Sequence, residues 1–107
     1  MMKIALFSLQ TLMLAGGLTA VDTAIASADL AKSKNCLACH APDKKLIGPS
    51  YKDVALKYAK DANAAKTLAQ KIQKGGVGVW GQVPMPANPQ VSASEAETLA
   101  KWILATK

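Results

Sequence analysis

The chain contains no arginine. All thirteen basic residues are lysine, set against seven acidic residues in a chain of 107. Arginine is the usual bidentate reader of base edges, so nucleic acid is a disfavoured partner despite a net charge of +6. Histidine occurs once, as His40, and cysteine twice, as Cys36 and Cys39. That is one ligand short of a four-ligand structural zinc site. A single histidine without arginine also leaves no distal histidine or arginine for acid–base catalysis on peroxide. There is no internal repeat and no sustained strand-like alternation. Beyond the N-terminal segment, no stretch is apolar enough to span a bilayer.

What is present begins with an export signal. MMK is a short positive region, IALFSLQTLMLAGGLTAV is mostly apolar, and DTAIASAD follows. Ala24-Ile25-Ala26 and Ala26-Ser27-Ala28 both fit the small-x-small rule of signal peptidase. The expected arrangement is a cleaved signal peptide over 1–26, with Ala28 as the second cleavage site, and one domain over 27–107. An uncleaved anchor is the alternative, since eighteen residues separate Lys3 from Asp22. Gly16-Gly17, Gln10 and the alanine-rich exit weigh against it. The expected location is the periplasm, with no stable membrane insertion after processing.

The 81 residues that remain when 26 are removed from 107 make a thin domain. A chain this short buries only about 60% of the surface its unfolded form exposes, and small domains generally need a staple. A disulfide between cysteines three apart closes too small a loop to serve. Removing Lys3 and Asp22 with the signal leaves twelve lysines against six carboxylates. Most of these lysines read as a solubilising surface. The sharper reading is a positive field that steers the chain toward an acidic protein partner.

The patterning predicts helices joined by turn-rich segments. Leu30 to Cys39 reads as a helix and Ala41 to Ser50 as a loop. Tyr51, Val54, Ala55 and Tyr58 share one helical face, and Ala65, Leu68, Ala69 and Ile72 repeat the spacing. Gly75 to Gln90 carries four glycines and three prolines in sixteen residues, and reads as irregular and functional. Ser92-Ala93-Ser94-Glu95 has capping-box form and opens a last helix with Ala96, Leu99, Ala100 and Ile103 on its face, Trp102 beside it.

CLACH, Cys36 to His40, holds both cysteines and the only histidine. A redox dithiol, a metal site and a covalently attached haem compete for it. A thioredoxin-like motif wants a strand–helix setting, which is missing, whereas Cys-x-x-Cys-His is the attachment motif of c-type haem. Two cysteines on one turn can each form a thioether, and the adjacent imidazole can reach the iron. The other axial position then decides between electron transfer and ligand chemistry. Met85 is the only methionine outside the signal segment, and it stands between Pro84 and Pro86. Its alternative role is core filler. A lone thioether in a proline-stiffened loop reads instead as an axial ligand.

CLACH, GPSYKDVALKYA, GVWGQVPMP and LAKWILATK together resemble the small bacterial class I cytochromes c of the c-551/c-552 type. The resemblance covers essentially all of 27–107. It implies an all-α class I cytochrome c fold, four to five helices around one haem c. It also implies that the Pro49 carbonyl accepts from His40, that Trp80 hydrogen-bonds a haem propionate with Lys71 nearby, and that Asn88 lies close to the Met85 sulfur. Trp80 and Trp102 could equally be plain core, and Lys71 a solvated charge. Where many relatives follow the ligand methionine with two prolines, this chain has Pro86-Ala87 and then Asn88-Pro89. The expected function is one-electron transfer, not enzymatic catalysis, by a monomer that docks on acidic surfaces of a reductase, oxidase, peroxidase or dehydrogenase. A haem with an open sixth position and a non-redox helical adaptor are the rival readings.

Overall fold

A computed structural model describes residues 20–107. Most of the expected signal peptide therefore lies outside the described residues. Four helices and one hairpin form the described part: α1 Ala20–Ser33, α2 Tyr51–Lys57, α3 Ala64–Lys74, β1 Gly76–Gly78, β2 Gly81–Met85 and α4 Ala93–Leu104. No helix among the described residues is long and apolar enough to cross a membrane.

The sequence reading runs one helix from Leu30 through Cys39, but α1 stops at Ser33. Asn35 takes a left-handed conformation, with φ 67°, which asparagine tolerates better than most residues. That single residue ends α1 and re-aims the chain, so Cys36–Ala38 forms a separate 3-10 turn. A second difference is the segment 75–90, which contains a two-stranded antiparallel hairpin rather than wholly irregular backbone. Three of its four glycines, Gly75, Gly78 and Gly81, have positive φ; with so many turn residues, only short pairing survives.

The caps are local and readable. Ser50 Oγ accepts from the Asp53 N–H at 3.0 Å and opens α2. At α4 the capping box is complete: Ser92 Oγ accepts from the Glu95 N–H at 3.1 Å, and Glu95 Oε1 accepts from the Ser92 N–H at 3.0 Å. The bond from the Ser92 backbone holds the Glu95 carboxyl below its ordinary value of 4.5. Any stability it adds is therefore present above that value and lost as pH falls through the lowered one.

α4 is the spine of the core. It packs on α3, α2 and α1, and its Ala96, Leu99 and Ala100 join Ala31, Val54, Leu68, Ile72 and Val91 in one buried cluster. Small residues at Ala31, Ala96 and Ala100 allow close helix approach. Among the described residues, Leu99 is the one large side chain with under 2% exposure. Leu99→Ala should cost about 2–5 kcal/mol, as large-to-small core changes do, measured by denaturant unfolding of the holoprotein. A loss of a few tenths would mean that the neighbours collapse into the space.

Candidate functional site

The site is assembled around a carbonyl. In the 3-10 turn the backbone N–H groups of Cys39 and His40 both donate to Cys36 O, at 3.2 and 3.0 Å. The two thiols and the imidazole are thereby gathered on one turn, and all three line one cavity of about 390 Å3. Both cysteines are free and half-buried. Burial pushes the Cys36 thiol up, opposed by a backbone hydrogen bond and reinforced by Cys39. A dithiol redox centre needs its attacking thiol lowered, so the environment here is the reverse of that reading. Among the described residues, no cluster of three or more His, Cys, Asp or Glu side chains could hold a metal ion.

His40 is held on three sides. Its Nδ1 lies 2.7 Å from the Pro49 carbonyl oxygen. A carbonyl can only accept, so Nδ1 carries the proton and the Nε2 lone pair is free for an iron. The ring stacks on Tyr51 with centroids 5.4 Å apart, and Tyr51 meets Trp102 of α4 edge-on at 5.2 Å. On the remaining side stands Gly48. A Cβ there would come within 2.6 Å of His40 Cε1 and 2.9 Å of Nδ1. Gly48 is a site residue that sequence reasoning missed. Its only local signal was the Gly48-Pro49 dipeptide, which says turn and nothing about a ring beside it.

Met85 ends β2, and its cross-strand partner is Gly76, two residues past α3. It is half-buried, packs against the core cluster and lines the same cavity as His40. The loop beyond it is stitched to the end of α3, whose last carbonyls lack helical partners. The Asn88 N–H donates to Gln73 O at 3.1 Å, and Asn88 Nδ2 donates to Ile72 O at 2.8 Å and to Pro86 O at 3.4 Å. The geometry thus gives Asn88 a bracing role; its amide hydrogens are engaged by carbonyls rather than by the Met85 sulfur. Gly75, also missed, lets α3 end against this loop. Its φ is +72°, and a Cβ would meet the Met85 carbonyl oxygen, Ala87 N and Pro86 C.

Lys71, in the last turn of α3, is half-buried and lines the cavity. Trp80, between the two strands, lines it too, with 43% of its surface exposed and Lys57 Nζ 5.1 Å above its ring. The remaining lining is largely aliphatic: Ile47, Val54, Leu68, Ile72, Val79, Leu99 and Ile103 among others. The Tyr51 hydroxyl is buried without a partner, and its phenol is pushed well up by desolvation, with Cys36 nearby adding to it. An apolar cavity with two thiols, a free imidazole nitrogen and a thioether in its wall fits a covalently attached haem.

A family model described as Cytochrome c matches residues 25–107. Cytochrome c-551 of Azotobacter vinelandii is 58% identical over 79 residues, 74% of this chain and 95% of that protein. Cytochrome c-552 of Nitrosomonas europaea is 52% identical over 93 residues, 87% of this chain and 90% of its own. The crystal structure of wild-type Nitrosomonas europaea cytochrome c552 aligns with a TM-score of 0.73 at 55% identity, covering 75% of this chain and 99% of that one.

Proposed function

Because this chain belongs to the cytochrome c family, we propose that it is a periplasmic electron carrier with haem iron held between His40 and Met85. Its kinship makes it a small monohaem electron carrier with the class I cytochrome c fold. The family binds one covalent haem c, and the chain has two cysteines for the attachment. When bound, the haem supplies a one-electron Fe(II)/Fe(III) couple. Cys36 and Cys39 would provide the thioether sulfurs, and His40 Nε2 and Met85 Sδ would hold the iron. The observation that carries this reading is the 2.7 Å contact of His40 Nδ1 with Pro49 O. It fixes the tautomer and frees Nε2 in a cavity shared with both thiols and Met85.

The other residues hold and tune. Met85 favours the ferrous state and so raises the potential. Trp80 and Lys71, which line the cavity, would hold the propionates, and Asn88 braces the loop on α3. The aliphatic wall excludes water and limits reorganisation when an electron moves. The signal over 1–26 directs export and is removed, leaving a monomer that begins at Ser27, or at Asp29 if the second site is used.

The test is the visible spectrum of the purified protein. Low-spin c-type bands with a weak near-red ferric band are expected, along with haem that acid–acetone does not extract. High-spin ferric bands in the parent would sink the His/Met assignment. The lysine excess yields a further expectation. Steered encounter with an acidic partner weakens as the Debye length shrinks from about 30 Å at 0.01 M salt to about 10 Å at 0.1 M. The second-order electron-transfer rate should therefore fall with salt. A flat profile would leave the lysines as solubilising charge alone.

A further inference from the structure

Hydrogen bonds around Gln90 join the two segments that carry the site. Gln90 Nε2 donates to Asn88 Oδ1 at 3.1 Å and to the Lys34 carbonyl at 3.3 Å. Lys34 Nζ returns a bond to the Gln90 carbonyl at 2.9 Å. Asn88 is tied in turn to Ile72 O at 2.8 Å. Lys34 lies just before Cys36 in the chain, and Asn88 just after Met85. The bonds run without a gap from Lys34, two residues before Cys36, through Gln90 and Asn88, to the end of α3.

We propose that Gln90 is a positioning residue that latches the Met85 loop to the cysteine-bearing segment and so controls how often Met85 leaves the iron. The proposal rests on Met85 being the sixth ligand. Its chemistry lies in the asparagine amide, which has one accepting end and one donating end. With Oδ1 accepting from Gln90, Nδ2 is aimed at the Ile72 carbonyl. Without Gln90, Oδ1 has no other hydrogen-bond partner among the described residues, and the Asn88 amide is oriented only by its bonds to the Ile72 and Pro86 carbonyls. The three bonds of Gln90 are exposed and weak alone, whereas the bond from Asn88 to Ile72 is part-buried. Lys34 and Gln90 bond each other in both directions, however, so the two segments part only when both bonds break. A loop held this way opens locally, well below the free energy of global unfolding.

The test uses the ferric holoprotein. Gln90→Ala should raise the rate of cyanide binding roughly tenfold, the factor expected from losing one to two weak hydrogen bonds. It should also bring loss of the near-red band to lower pH, with the neutral-pH spectrum and potential unchanged. Lys34→Ala should raise the rate as well, although it also removes the 3.4 Å pair with Glu95. The double variant should rise by less than the product of the two effects, as coupled sites do. Lys101→Ala, which breaks the exposed 2.8 Å pair with Glu97, is the control and should move neither readout. A parent with the near-red band and a Gln90→Ala rate equal to the parent's would overturn this proposal alone. A parent without the band would overturn the Met85 assignment, and this proposal with it.

Discussion

Met85→Ala should yield a protein that keeps its haem and loses its character as a carrier. The proposed attachment residues Cys36, Cys39 and His40 form one turn around the Cys36 carbonyl, and the substitution touches none of them. With the thioether gone, water or nothing fills the sixth position. Part of the iron should turn high-spin, and the near-red band should disappear. Cyanide, carbon monoxide and imidazole should bind readily where the parent binds slowly. The potential should drop, because the soft ligand favouring ferrous iron is lost. Stability should fall by about 2 kcal/mol, the lower end for a methionine truncated to alanine, since Met85 is only half-buried. Spectra, redox titration and thermal unfolding of the same preparation check all of these. An unchanged spectrum and potential would make Met85 core filler. The sixth ligand would then be sought among lysines lining the cavity, Lys45 and Lys71.

Gly48→Ala should be damaging from the other side of the site. The added methyl would sit 2.6 Å from His40 Cε1, closer than carbon atoms approach without displacement. The ring has little room to yield, being bonded to Pro49 O and stacked on Tyr51. Either the imidazole tilts, or the loop carrying Pro49 moves and the bond at Nδ1 lengthens. Overpacking of this kind costs about 1–3 kcal/mol. The holoprotein should melt earlier, mature in lower yield and show an altered axial histidine in its proton NMR spectrum. Gly76→Ala is the matched control. Its nearest neighbour would be the flexible tip of Lys71 at 3.6 Å, and it should behave nearly as the parent. Equal behaviour of the two variants would show that the site tolerates side chains beside His40.

Much of this protein can be read along the chain, wherever the governing interaction is local. The capping box at Ser92 and Glu95 spans three residues, and both of its bonds form. The faces of α2, α3 and α4 follow from helical spacing, because a 3.6-residue period needs no partner to be visible. CLACH declares its chemistry because thioether attachment and iron ligation need those residue types within one turn. Met85 stands out by scarcity, as the lone thioether beyond residue 13. The break at Asn35 was less legible, since an asparagine within a helical pattern marks a possible left-handed residue without committing to one.

The tertiary structure decided what depends on who arrives through space. Nothing near Gly48 in sequence says that an imidazole ring will lie against it. Nothing near Gly75 says that the Met85 carbonyl will. Asn88 could have capped, turned or bound a ligand, and its direction was settled by two unpaired carbonyls at the end of α3. The short pairing of Gly76 with Met85 was hidden for a related reason. Backbone hydrogen bonds carry no side-chain signature, and the glycines that permit this hairpin look the same as glycines that forbid structure. Sequence thus determined which groups are available for the proposed chemistry, because their identities are the chemistry. Their orientation was left to packing, because an atom's free directions are known only once its neighbours have closed the others.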